Sequence, residues 1–392
     1  MTEEKKSKAI EKHREWKGKI EVITRAKIET MEDLAIAYTP GVAEPCLEIA
    51  ENEELAYEYT RKGNLVAVIT DGTAVLGLGD IGPAAGMPVM EGKCALFKRF
   101  AGIDAFPICI DSKDPEEIVA TVVNISKSFG GINLEDISAP RCFEIEEALK
   151  EKCDIPVFHD DQHGTAIIVA AALLNAVRVT GRAMGGLRIV INGAGAAGIS
   201  IAKLILQMGF GSVILCDRDG IVYSGAPSNN FMQEEMCRVT NPEGMKGSLA
   251  DALVGADIFV GVSRPGMVTQ EMVRSMKKDP IVFAMANPVP EILPDEAKAA
   301  GAAVVGTGRS DFPNQVNNVL AFPGVFKGLL SVRAKRVTDS MKEAAAKALA
   351  DVIAPEELSP EYVLPNAFDP RAAEAIAEAV AKEAVRLGLN RI

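Results

Sequence analysis

The sequence has no paired cysteines, no extended basic cluster and no apolar run long enough to cross a bilayer, and each absence removes a class of protein. Its seven cysteines stand singly (Cys46, Cys94, Cys109, Cys142, Cys153, Cys216 and Cys237), with no CxxC. An odd number, placed mostly beside strand-like apolar residues, argues for reduced, buried thiols in a cytoplasm and against a disulfide or zinc framework. Net charge is −12, and beyond the short stretch 5–14 the positive residues do not cluster. Nucleic acid and anionic membranes are therefore not expected as partners. The longest apolar run, 165–177, is too short for a bilayer and reads as a buried helix, and the opening MTEEKKSKAIEKHREW holds no apolar core for a secretion signal. Internal repeats and low-complexity linkers are missing as well. A chain of 392 residues exceeds what one core normally supports, so two domains are expected.

The stretch that organises the rest is LRIVINGAGAAGIS, residues 187–200. An apolar strand runs into Gly193, Gly195 and Gly198 and then a helix, the arrangement of a phosphate cradle. The first glycine allows the tight turn, the second lets backbone approach a pyrophosphate, and the third lets helix pack on sheet. A second strand, 212–216, ends in Asp217, 24 positions after Gly193, placed to accept hydrogen bonds from an adenosine ribose. Asp217 repels a 2′-phosphate and favours NAD, while Arg218 beside it leaves NADP open. The alternative, a glycine turn without a ligand, accounts for neither the flanking strand and helix nor the terminal acid. Further strands at 257–262, 281–285 and 302–305, spaced by helical segments, argue a doubly wound parallel sheet. The alanine-rich stretches 341–352 and 370–387 read as covering helices. The boundary between an N-terminal domain (1–160) and a dinucleotide-binding domain (161–392) is expected near Asp160.

Other residues carry chemistry. Tyr38 stands at a corner fixed by Thr39-Pro40 ahead of a helix, or simply packs a loop. Gly77, Gly79 and Gly82 repeat the glycine spacing, but the residues that follow, 83–88, read as helix-breaking. Lys93 is placed at the start of an apolar helix, 94–100, where burial beside a cation would free its proton; a solvated lysine is the plain alternative. Asp114 and Pro115 read as the cap and first turn of a helix. Glu135-Asp136 and the segment FHDDQHG, residues 158–164, put carboxylates on separate loops, which suits Mg²⁺ or Mn²⁺. A zinc site using His159 and His163 is weaker because HExxH is absent. Asn287, Asn317 and Asn318 follow or precede apolar segments at the carboxyl edge of the sheet, as substrate contacts or as turn asparagines.

A nicotinamide, a carboxylate-bound cation, a lysine and a tyrosine together suit oxidation of an alcohol beside a carboxylate, followed by loss of a β-carboxylate as CO₂. The segments YTPGVA (38–43), TDG through GLGD (70–80), EGK (91–93), EDI (135–137), FHDDQHGTA (158–166) and NN through FPG (317–324) resemble malic enzymes of the short prokaryotic type, in order over nearly the whole chain. The resemblance implies an α/β fold: a Rossmann-like doubly wound domain, an N-terminal α/β substrate and metal domain, and C-terminal covering helices. It implies oxidative decarboxylation of (S)-malate to pyruvate and CO₂ with NAD, NADP being possible, and Mg²⁺ or Mn²⁺. Lys93 then resembles the general base and substrate contact, and Tyr38 the general acid. Glu135, Asp136 and Asp161 resemble the metal ligands, and Asp160 a positioning residue. Asn287, Asn317 and Asn318 resemble substrate contacts, and Gly193, Ala194, Gly195, Ala196, Ala197 and Gly198 match the cofactor loop. A homodimer or homotetramer is implied, with the Tyr38 segment completing a neighbour's site, and a single activity, since the acetyltransferase-like extension of longer relatives is absent. Long-type relatives carry an arginine where this chain reads Thr73-Ala74-Val75. Arg14, Arg25 or another subunit must then neutralise the malate carboxylate. The competing readings are a metal-independent amino-acid dehydrogenase and a non-catalytic dinucleotide-binding protein.

Overall fold

Four apolar segments form the first of two sheets: β1 (Leu65–Thr70), β2 (Asp104–Cys109), β3 (Gly131–Leu134) and β4 (Val157–His159), all parallel in the order β2-β1-β3-β4. Val66 to Ile69 are fully buried, as expected for a parallel strand covered on both faces. The second sheet holds β5 (Leu187–Asn192), β6 (Gly211–Asp217), β7 (Gly220–Ile221), β8 (Ile258–Gly261), β9 (Ile281–Ala284) and β10 (Val304–Thr307). Its order is β10-β9-β8-β5-β6-β7, parallel except for β7. These positions come from a computed structural model that describes residues 3–392. In each sheet the strand order reverses around one strand, β1 in the first and β5 in the second, and ligands settle beyond the carboxyl ends at such points.

One apolar core runs through both sheets. At its centre lies the helix Thr165–Val179, with every residue from Ala166 to Val177 buried. By length and composition the segment Asp160–Val179 could cross a membrane, but here it is wrapped by protein. It packs on the helices Ala196–Gln207 and Asp339–Ala350. Phe97, from the helix Pro83–Ala101, meets Phe322 and Phe326 edge-on at 4.7 and 5.2 Å, and Phe326 meets Phe158 of β4 at 5.7 Å. The helix Phe322–Ser331, which follows the last strand of the second sheet, thus closes back over the first.

The stretch 83–88 does not break a helix. Gly82 turns the chain at φ 80°, Pro83 occupies the first turn where its missing N–H is not needed, and Pro88 is carried inside the helix Pro83–Ala101. A buried face of Gly86, Met90, Lys93, Cys94 and Phe97 outweighs the cost of about 3 kcal/mol for an interior proline. Lys93 therefore lies in mid-helix, not at a helix start. Asp114 and Pro115 open the helix Pro115–Ile125, with the Asp114 side chain accepting from Glu116 N–H. The helices Met31–Ala37 and Ala43–Glu51 bury none of their side chains.

Candidate active site

The carboxyl ends of β1, β3 and β4 converge. β3 delivers Glu135 and Asp136; β4 runs into a π-helical turn, Asp160–Gly164, that carries Asp160 and Asp161. Such turns are rare and cluster at functional sites. Asp136 has a left-handed backbone, φ 53°, which an L-residue adopts at some cost. Ala74 N–H donating to its carbonyl (2.9 Å) and its own N–H donating to Asp161 Oδ2 (2.7 Å) hold it there. Glu135, Asp136 and Asp161 each offer a carboxylate oxygen within 4.8 Å of the others.

Beside this trio, Lys93 Nζ lies 2.5 Å from Asp160 Oδ2, 3.0 Å from Glu135 Oε1 and 4.3 Å over the Phe322 ring. Asn318 Nδ2 donates to Asp160 Oδ2, and Asn133 Nδ2 to Glu135 Oε2. Burial pushes the carboxyls of Glu135 and Asp160 up to about 7 against the pull of Lys93. Burial, then the charge of Asp160, pushes Asp161 up to about 6. Burial also pulls the Lys93 ammonium down, but Asp160 and Glu135 outweigh it and the ammonium ends above its ordinary value. The expected ease of proton loss from Lys93 thus belongs to a site whose carboxylates are neutralised by a cation; without one they hold the proton on.

Neither histidine is a member of the trio, although His159 Nδ1 lies 3.7 Å from Asp161 Oδ2. His159 is fully buried and burial pulls it down to about 4, so it is neutral. His163 Nδ1 accepts from Lys342 Nζ (3.2 Å), leaving Nε2–H to donate to Glu146 Oε1 (2.6 Å). Both partners of His163 point away from zinc chemistry.

Tyr38 does not join the cluster: its side chain is 68% exposed, and among the described residues no hydrogen bond leaves its hydroxyl. Asn317 caps its own turn, accepting from Val319 N–H (3.0 Å). Asn318 is the member of that pair that reaches the site. Asn287 is exposed in the turn after β9. A Cβ on Gly77 would come within 2.8 Å of its carbonyl oxygen, so Gly77 serves close packing between the loops of the two sheets, whereas Gly79 and Gly82 have open space before them and are needed for their positive φ. Arg14 and Arg25 are exposed. The guanidinium on the loop at Thr73 is one the sequence reading overlooked: Arg141 Nη2 donates to Asp71 Oδ2 (2.9 Å), Thr73 Oγ1 (3.0 Å) and Ser138 Oγ (3.1 Å). No local pattern announces a contact across about 70 positions.

The glycine loop behaves as its spacing predicts. A Cβ at Gly193 would meet the Val262 carbonyl oxygen at 2.5 Å, and one at Gly198 would meet Gly193 O at 1.8 Å. Gly195 has open space before it, the room a phosphate needs. The loop borders a cavity of about 900 Å³ lined by Asn192, Asp217, Arg218, Gln233 and Ser263. Asp217 Oδ1 accepts from Arg218 N–H (2.9 Å), and Oδ2 from Gln233 Nε2 (2.7 Å). Gln233 is a second residue the sequence reading missed; its signal was the capping spacing Asn230-x-x-Gln233.

A dinucleotide cradle at one switch point and a buried lysine among carboxylates at the other define a cofactor-dependent enzyme of the α/β class. Residues 17–150 match the malic enzyme N-terminal domain family, and residues 162–385 the malic enzyme NAD-binding domain family. A bifunctional malic/malolactic enzyme of Bacillus subtilis is 54% identical over 99% of this chain and 95% of its own length. An NAD-dependent malic enzyme of Geobacillus stearothermophilus is 53% identical over 95% of this chain and 78% of its own. The crystal structure of an NAD-dependent malic enzyme from Thermotoga maritima superposes with a TM-score of 0.92 at 48% identity, covering 95% of this chain and 98% of that one. The chain belongs to the malic enzyme family.

Proposed function

We propose that the chain oxidises (S)-malate with NAD, and more weakly with NADP, releasing pyruvate and CO₂. The observation that carries this reading is the buried Lys93 ammonium, 2.5 Å from Asp160 and 3.0 Å from Glu135, beside three converging carboxylates. Hard oxygen donors at this spacing fit Mg²⁺ or Mn²⁺, held by Glu135, Asp136 and Asp161. Such a cation would supply positive charge to polarise substrate oxygens and stabilise the negative charge that loss of CO₂ leaves behind. In its deprotonated form Lys93 Nζ takes the proton of the substrate hydroxyl and becomes an ammonium, and Asp160, hydrogen-bonded to it, fixes its position and balances that charge. Asn318 steadies Asp160, and Asn287 and Asn317 lie on the loops that face the substrate from the second sheet. A metal-independent amino-acid dehydrogenase would have no use for the trio.

Tyr38 acts as the acid that protonates carbon after CO₂ leaves, and it does so in a second copy of the chain. Two observations support this. Its hydroxyl is free of the Lys93 cluster, and the segment that bears it exposes Val22 (75%), Ile23 (74%), Met31 (80%) and Leu47 (67%), an apolar face that asks to be covered. A homodimer, or a homotetramer built from such dimers, would cover it. All seven cysteines are free, in keeping with a cytoplasmic location.

The test is absorbance of the reduced nicotinamide with (S)-malate, NAD or NADP, and Mn²⁺ with or without chelator, followed by assay of pyruvate. Metal-dependent signal with stoichiometric pyruvate is expected. Signal that survives chelator would refute the metal assignment, and Tyr38→Phe should spare oxaloacetate reduction more than pyruvate formation.

A further inference from the structure

We infer that Gln233 sets the coenzyme preference by holding the Asp217 carboxylate ready for an unphosphorylated ribose; the inference rests on the dinucleotide reading of the cavity above. Gln233 lies outside the glycine loop, on the short helix Phe231–Met236, and is 6% exposed. Its amide orientation is decided by its surroundings. The Asn230 N–H donates to Oε1 (2.9 Å), so Nε2 must be the end that faces the two acceptors, Ala194 O at 3.1 Å and Asp217 Oδ2 at 2.7 Å. The Asn230 side chain in turn accepts from Met232 N–H (3.0 Å) and Gln233 N–H (2.9 Å), which locks the helix start from which Gln233 reaches out.

One amide thus ties the acid at the end of β6 to the backbone of the phosphate loop. Asp217 has one oxygen on Arg218 N–H and the other on Gln233, and each keeps a lone pair for a ribose hydroxyl. Pinned in this way, the carboxylate cannot swing aside for a 2′-phosphate. Arg218, the residue that would welcome one, carries its side chain 75% exposed beside Asp219 at 3.6 Å. Gln233 is therefore a positioning residue that acts through Asp217.

The experiment is calorimetric titration of NAD⁺ and of NADP⁺ into the full-length protein without malate, comparing wild type, Gln233→Met, Gln233→Glu and the same changes on an Asp217→Ala background. Wild type should bind NAD⁺ more tightly. Gln233→Met should weaken NAD⁺ about tenfold, the size of a lost hydrogen bond to a charged group, and leave NADP⁺ unchanged or tighter. Gln233→Glu, which sets an acceptor against Asp217 and Ala194 O, should weaken NAD⁺ further. Mn²⁺ affinity should not move in either variant, which distinguishes the effect from a damaged fold. On the Asp217→Ala background the Gln233 changes should alter the NAD⁺/NADP⁺ ratio by less than about twofold. Equal weakening of both coenzymes, an unchanged ratio, or an equal effect without Asp217 would overturn the inference alone. A wild type that binds neither dinucleotide would overturn the reading beneath it.

Discussion

Lys93→Met keeps the length of the side chain and removes the one positive charge that two buried carboxylates share. Glu135 is 5% exposed and Asp160 is 0% exposed, so neither can turn to water. Breaking a buried ion pair by deleting one partner typically costs about 3–5 kcal/mol, because an uncompensated charge stays behind. The sign with pH follows from the direction of the shifts. Both carboxyls already stand near 7 with Lys93 in place, and its loss raises them further above their unfolded values. A carboxyl raised on folding binds its proton more tightly in the native state, so the deficit is small near pH 5 and grows as the pH rises. At about pH 8 the metal-free variant should be about 3–5 kcal/mol less stable than wild type, and at about pH 5.5 most of that difference should vanish. Mn²⁺ should restore the variant at the higher pH by more than it stabilises wild type, since a dication replaces the missing charge. Urea unfolding followed by far-ultraviolet circular dichroism is the suitable assay: the single tryptophan, Trp16, is 51% exposed and lies far in sequence from the site. A deficit equal at both pH values and indifferent to Mn²⁺ would refute the electrostatic account and reduce Lys93 to packing against Phe322. Malate oxidation should be abolished in either case.

Mn²⁺ affinity of the unliganded protein should fall as pH drops through about 7 and then about 6, where Glu135 and Asp161 take up protons, for a loss of about twentyfold between pH 8 and 6; a calorimetric titration flat across that range would contradict the burial of these acids. Phe97→Ala, where the helix Pro83–Ala101 meets the helix Phe322–Ser331, should cost about 3–5 kcal/mol in a single unfolding transition, whereas two separated transitions would deny the shared core. Leu47→Glu on the exposed face should shift the protein to a smaller species by light scattering and lower pyruvate formation with it; an unchanged mass would remove that face from subunit contact.

The glycine loop, the paired acids and the lysine were legible because each is a local pattern whose chemistry demands its residue types. The helix Pro83–Ala101 was not, since two prolines and two glycines outvote its apolar face in any local reading and packing on β1, β2 and the helix Phe322–Ser331 decides the matter. The same holds for the residues that position the site. Gln233 on Asp217 and Arg141 on Asp71 join segments far apart in sequence, and nothing within one segment announces its partner. Asn317 and Asn318 are adjacent and alike in sequence. The structure separates them, because the first spends its side chain on Val319 N–H and leaves the second to reach Asp160.

The two halves of the site are fixed relative to each other by one element. Asp160 and Asp161 sit in the turn that runs directly into the helix Thr165–Val179, and that helix packs along the helix Ala196–Gln207, which begins at the glycine loop. A direct link reinforces the packing: Ser200 Oγ donates to Gln162 Oε1 (3.3 Å), joining the cofactor helix to the acidic turn. Hydride transfer requires the donor carbon and the nicotinamide to be held in a near-attack geometry, where a displacement of about 1 Å costs on the order of a hundredfold in rate. The alanines Ala170, Ala171 and Ala172 in the middle of the long helix are all fully buried, so the helix is packed closely on every side there. A larger side chain at any of them would have to displace a packed neighbour of the helix that follows Asp160 and Asp161. The placing of the acidic turn against the cofactor helix thus depends on tightly packed small residues that carry no chemistry of their own.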